Sequence, residues 1–121
     1  MKNQPYRMTM LFDFYGDILT DRQRELFDLY YNEDLSLAEI AENCGISRQG
    51  VRDVIVRAEA AMNELEDKTG LLKRFMRMQD SVDAIVTAAN EIKTINYRQY
   101  ENHRLEELAD SIIAGAGVLK E

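Results

Sequence analysis

Twenty residues, from Ser36 to Ile55, constrain the fold more than any other stretch of this chain. They read SLAEIAENCGISRQGVRDVI. Ser36 is followed three residues later by Glu39, a capping box in which each side chain satisfies an orphan backbone N–H, so a helix begins there. Gly45 ends it, because the tight turn needs a residue at ease in the left-handed region. Ser47 then caps a second helix. Two helices joined by so short a turn with a glycine in it form a helix-turn-helix, here spanning residues 36–55. Ala41 sits where the two helices must approach closely. Ile40, Cys44, Ile46, Val51 and Val54 have the spacing to fill the wedge between them. Cys44 is best read as a small apolar filler. Ser47, Arg48, Gln49, Arg52, Asp53 and Arg57 are left outward, a set able to bond phosphates and base edges. Gly50 costs a helix up to about 1 kcal/mol relative to Ala. Either another backbone comes close there, or the helix tolerates a weak first turn.

The flanking sequence is helical throughout. Met8, Leu11, Phe12 and Tyr15 recur at helical spacing up to Gly16. Thr20 and Gln23 form another capping box, and Leu26, Phe27, Leu29 and Tyr30 give the apolar face of the helix that follows. Asn32-Glu33-Asp34 is its polar exit. The second helix of the motif is expected to continue through Ala58, Ala61, Met62 and Leu65 to a stop or kink at Gly70. From there Leu71, Phe75, Met78, Val82, Ile85, Ala89 and Ile92 step alternately by four and three, the repeat of about 3.5 residues that marks a helical seam. Asn96 to Gln99 can cap a last helix with the stripe Leu105, Leu108, Ile112, Ala116 and Leu119. No tract alternates as a strand does. The expectation is an all-α protein: a helix-turn-helix domain over residues 1–70, then a C-terminal helical hairpin over 71–121. The hairpin has little globular mass to cover. Its seam is therefore either internal core or, as we expect, a homodimer interface formed by Leu71, Phe75, Met78, Val82, Ile85, Ala89 and Ile92.

Composition narrows the chemistry. No apolar run nears the roughly 18 residues of a membrane span, and no signal-peptide pattern opens the chain, so a cytoplasmic location is expected. A single cysteine fits a reducing compartment. The lone His103 stands among Glu101, Arg104, Glu106 and Glu107 with no second His or Cys to complete a metal site. No phosphate-cradling glycine loop or nucleophile elbow occurs. An enzyme is not expected, nor a cofactor, metal or small-molecule substrate.

The chain resembles the YlxM family of small bacterial helix-turn-helix proteins. The likeness runs from about Met8 to Phe75. It rests on Phe12-Asp13-Phe14-Tyr15, Leu19-Thr20-Asp21 with Gln23, Leu29-Tyr30-Tyr31, Ser36-Leu37-Ala38-Glu39-Ile40-Ala41 and Ile46-Ser47-Arg48-Gln49. Val51, Asp53, Ile55, Arg57, Glu59, Leu65 and Glu66 extend it. The resemblance implies a wingless domain similar to region four of bacterial sigma factors and a DNA-binding regulatory role. It also implies association with the signal recognition particle pathway, through genes adjacent to those of its GTPases Ffh and FtsY. Beyond about Arg77 the likeness is weak.

On the residues alone, duplex DNA is the expected partner. Arg48, Gln49, Arg52 and Asp53 would face the major groove, Ser36 and Ser47 would hold phosphates at helix N-termini, and Arg57 would reach a further phosphate. Charge pulls the other way. Fifteen Lys and Arg against twenty-two Asp and Glu leave −7. From Leu35 to Gly70 four cations (Arg48, Arg52, Arg57, Lys68) face seven anions (Glu39, Glu42, Asp53, Glu59, Glu64, Glu66, Asp67), a balance of −3. An acidic surface suits basic partners better than phosphate backbones. The alternative is an interaction module that docks on signal recognition particle RNA or its GTPase.

Overall fold

A computed structural model describes residues 4–120. The element order is α1 (Pro5–Tyr15), a 3-10 turn (Gly16–Ile18), α2 (Asp21–Tyr31), α3 (Leu37–Cys44), α4 (Arg48–Thr69), α5 (Leu71–Ile95), a π turn (Asn96–Tyr100) and α6 (His103–Val118). There is no strand among the described residues. The chain divides into two compact units, Met1–Leu72 and Lys73–Glu121.

In the first unit α1, α2 and α3 all pack on α4. Its core holds Leu11, Leu26, Phe27, Ile40, Val51, Ala58 and Met62, all fully buried, closed by Leu72. An aromatic run threads it. Phe12 stacks on Phe27 at 4.7 Å between ring centroids and Phe27 on Tyr31 at 4.4 Å, separations at which ring pairs add to simple burial. Pro5 at the first helical position starts α1, where its missing N–H is no loss. The Thr20–Gln23 box starts α2 with both reciprocal bonds made, at 3.0 and 3.1 Å. Asp34, at φ 58, turns the chain toward α3, and the Leu35 amide bonds back to the Leu29 carbonyl at 3.0 Å.

The far end of α4 is fixed by a buried carboxylate. Gly70, at φ 63, ends the helix in the left-handed region, so the expected break is a full stop. Glu66, 7% exposed, accepts from the Tyr15 hydroxyl at 2.6 Å and the Leu72 amide at 2.9 Å on the same oxygen. The Tyr15 hydroxyl also lies 2.6 Å from Thr69 Oγ1. Burial, with Glu66 beside it, raises the Tyr15 phenol above its usual range.

The second unit is a helical hairpin. Lys93 bonds Asp110 at 2.6 Å, and Lys120 bonds Asp83. Moving ten residues back on α5 moves ten forward on α6, so both pairs share one antiparallel register. Val82, Ala89, Ala109 and Ala116 are buried. Two expectations change here. Asn96 does not cap the last helix: it is buried, its amide donating to the Asn102 carbonyl and accepting from the Asn102 amide, each at 2.8 Å. Asn102 is the cap, accepting from the Leu105 amide at 3.0 Å. The expected interface stripe also splits. Val82 and Ala89, each 1% exposed, are occupied in the hairpin's own seam, and Phe75 is half-buried. Leu71, Met78, Ile85 and Ile92 stay exposed. The stripe is wider than one seam, and α6 takes only its small-residue side.

Candidate nucleic-acid interface

The helix-turn-helix forms as its sequence dictates. The Ser36 hydroxyl accepts from the Glu39 amide at 3.1 Å, and Glu39 accepts from the Ser36 amide at 3.0 Å. The bond from the Ser36 amide, with a smaller contribution from the Ser36 side chain, holds the exposed Glu39 carboxyl below its usual range. Gly45, at φ 68, donates to the Ala41 carbonyl at 2.9 Å, and Ile46 donates to the same oxygen at 3.2 Å. Two amides on one carbonyl finish α3 and turn the chain within three residues. The Ser47 hydroxyl accepts from the Gly50 amide at 3.0 Å and starts α4. Ile40, Ala41, Val51 and Ile55 are buried, with Cys44, Ile46 and Val54 packed against them. The wedge is filled by the residues expected to fill it.

Gly50 has a local explanation. A Cβ there would lie 3.2 Å from the Ser47 hydroxyl oxygen and 3.7 Å from the Ile46 Cδ1. The close neighbour is the capping side chain, not another backbone. A glycine leaves that hydroxyl in place.

Ser36, Ser47, Arg48, Gln49, Arg52, Asp53 and Arg57 are all exposed. With successive residues turning about 100°, they do not share one line. Gln49 and Asp53 lie opposite the buried face of α4. Arg48 and Arg52 form one edge of the exposed surface, and Arg57 lies toward the other. Gln49 Nε2 donates to Asp53 Oδ1 at 2.9 Å, one turn apart. Both residues are among those the sequence places outward; their mutual bond is one that the i,i+4 spacing permits. Val56, absent from the expected contact set, is 47% exposed on the same outward face. An exposed β-branched residue in that register was the available signal.

Beside this face, Tyr30, Leu37, Arg52 and Val56 line an open cleft of about 200 Å³. At its wall the Tyr31 hydroxyl donates to Glu59 Oε2 at 2.9 Å. Partial burial and the adjacent carboxylate push the Tyr31 phenol well above its usual range. The surface offers arginine, amide and methyl groups about a helix N-terminus. Such a surface can hold anionic oxygens and meet base edges. The described residues contain no cluster of His, Cys, Asp or Glu able to hold a metal. No described helix is long and apolar enough to cross a membrane.

Comparison with known proteins places this geometry in a family. Residues 2–110 match the family UPF0122, described as "Putative helix-turn-helix protein, YlxM / p13 like". A UPF0122 protein of Thermoanaerobacter sp. (strain X514) is 51% identical over 78 residues, covering 64% of this chain and 67% of that protein. One from Bacillus thuringiensis (strain Al Hakam) is 45% identical over 96 residues, covering 79% and 87%. One from Acetivibrio thermocellus is 37% identical over 113 residues, covering 88% and 97%. The shared length takes in the helix-turn-helix and, with the last relative, most of the hairpin; the chain belongs to the UPF0122 family of YlxM/p13-like helix-turn-helix proteins.

Proposed function

We propose that this protein is a cytoplasmic, non-enzymatic regulator that reads duplex DNA with α4 and acts as a homodimer. The observation that carries the reading is the exposed first half of α4, set at a short helix-turn-helix turn with Arg48, Gln49, Arg52 and Val56 all outward. In this mechanism Arg48 and Arg52 contact guanine edges or the adjoining phosphates. Gln49 reads an adenine edge once it leaves Asp53, and Val56 meets a thymine methyl. Ser36 and Ser47, at the starts of α3 and α4, hold phosphates through hydroxyls and backbone donors. Arg57 meets the opposite wall of the groove. Asp53 holds Gln49 in the free protein and disfavours phosphate nearby, which makes it a selectivity element. Few phosphates are neutralised per copy, so one copy binds weakly and two copies on paired half-sites bind well.

The test is selection from random-sequence duplex DNA at low salt, with signal recognition particle RNA and its GTPase titrated in parallel. Enrichment of a motif, lost in the Arg48→Ala/Arg52→Ala variant, supports the reading. A second reading is favoured by the −3 balance between Leu35 and Gly70. In it the same surface docks on the signal recognition particle RNA or GTPase. Binding there with no enriched DNA motif selects it.

A further inference from the structure

The hairpin has two unlike sides. One carries the Lys93–Asp110 and Asp83–Lys120 ion pairs. The other is apolar and exposed. On α5 Met78, Ile85 and Ile92 follow one another at seven-residue intervals on the flank away from Asp83. On α6 Leu108, Ile112 and Leu119 lie on the flank away from Asp110. Because the two helices run antiparallel about a shared seam, these flanks face the same way. The six side chains remain between 39% and 51% exposed. No Asp, Glu, Lys or Arg interrupts that side from Met78 to Ile95 or from Leu105 to Leu119.

The geometry points to a second copy of this chain as the occupant of that face, closing a four-helix bundle across a two-fold axis. Seven-residue spacing is the register of helices that interlock side by side. A two-fold axis needs one patch that complements itself, and an uninterrupted apolar face does so. The six side chains offer about 500 Å² of apolar surface per copy, and two copies then reach the roughly 1,000 Å² at which a specific interface begins. A nucleic acid or a charged protein would find no partner charge there. Arg74 and Arg77 stand at the open end of the hairpin, so an axis that runs the two hairpins antiparallel keeps the four arginines apart. This interface deepens the DNA-reading proposal and rests on it only for its purpose, which is to bring two α4 helices together.

The experiment measures mass without DNA. Sedimentation of the full chain over the micromolar range is expected to give twice the 14.0 kDa of one chain. Ile85→Glu/Ile112→Glu is expected to halve that mass with helix content unchanged by circular dichroism. Thr87→Glu, on the ion-paired side, is expected to leave it intact. A covalent readout covers the case in which the double variant unfolds. In a Cys44→Ser background, Ala88→Cys is expected to cross-link between copies with a short bismaleimide, and Thr87→Cys is not. A wild type at single-chain mass throughout overturns the proposal, as it would if the face were covered within the chain or reserved for another protein. So does equal cross-linking at both cysteines. Because no DNA is present, a monomer that still selects a DNA motif sinks the interface alone. A dimer that selects none sinks only the DNA reading.

Discussion

Replacing Glu66 tests what fixes the frame that carries the helix-turn-helix. Its Oε1 accepts from the Tyr15 hydroxyl and from the Leu72 amide, joining α1 to the α4–α5 corner. In Glu66→Leu the Tyr15 hydroxyl keeps Thr69 within 2.6 Å, so it is not orphaned. The buried Leu72 amide loses the acceptor that Glu66 provides. A buried donor without a partner costs about 1–3 kcal/mol, and bonds to a charged acceptor lie at the upper end of the scale. The leucine regains part of this through apolar contact. A net loss of about 2–3 kcal/mol follows, which in a unit of this size lowers Tm by roughly 10–20 °C. Glu66→Gln keeps a carbonyl oxygen in place for both donors and replaces Oε2 by an amide NH2, so it should cost less, about 1 kcal/mol. Thermal melts followed by circular dichroism separate the two variants. If Leu melts within a few degrees of wild type, or Gln falls as far as Leu, the carboxylate is not acting as the shared acceptor.

Arg52→Ala should abolish sequence-selective DNA binding in a mobility-shift competition while leaving Tm unchanged, since the side chain is exposed. Loss of one phosphate contact per copy would also make the slope of log affinity against log salt shallower by about 0.9 for each contact. Ser47→Ala removes the cap of α4 and should cost about 1 kcal/mol in urea unfolding. Gly50→Ala gains up to about 1 kcal/mol of helix propensity, but its Cβ crowds the capping hydroxyl at 3.2 Å. Its benefit should therefore be larger in the Ser47→Ala background than in wild type, a non-additivity that a double-mutant cycle reads directly. Alkaline unfolding follows from the raised Tyr15 and Tyr31 phenols. Above pH 10, the usual phenol value, unfolded tyrosines lose their protons while these two keep theirs, so the unfolded chain binds fewer protons and stability falls as pH rises. Tyr15→Phe should shift the alkaline midpoint upward, and an unchanged midpoint would remove Tyr15 from the account.

The first unit was legible because its signals are local. Thr20 with Gln23, Ser36 with Glu39, and Ser47 each satisfy a donor within the next turn, and Gly45 and Gly70 adopt the left-handed conformation that ends their helices. Such features need no tertiary partner to be recognised. The Tyr15–Glu66 and Tyr31–Glu59 bonds bridge 51 and 28 residues, and nothing in the spacing of a carboxylate along α4 announces which tyrosine will reach it. The same limit explains the cap of α6. Asn96 and Asn102 are both chemically suited to capping, and the choice falls on Asn102 because the π turn lets Asn96 fold inward onto its backbone.

The hairpin stripe was visible in the sequence, but its division was not. A 3.5-residue repeat says that one side of α5 is covered, and it cannot say by how many helices. Volume decides. Where α5 meets α6 the buried residues are small ones, Val82 and Ala89 on one helix and Ala109 and Ala116 on the other. Met78, Ile85 and Ile92 fall on an exposed flank of α5, and Leu108, Ile112 and Leu119 fall on an exposed flank of α6. A chain whose apolar residues served only an internal seam would place polar groups on that flank, as it does on the opposite one with Asp83 and Asp110. The asymmetry is therefore written in residue size and charge together: the small residues fill the internal seam, and the large ones stay exposed on the flank without charges.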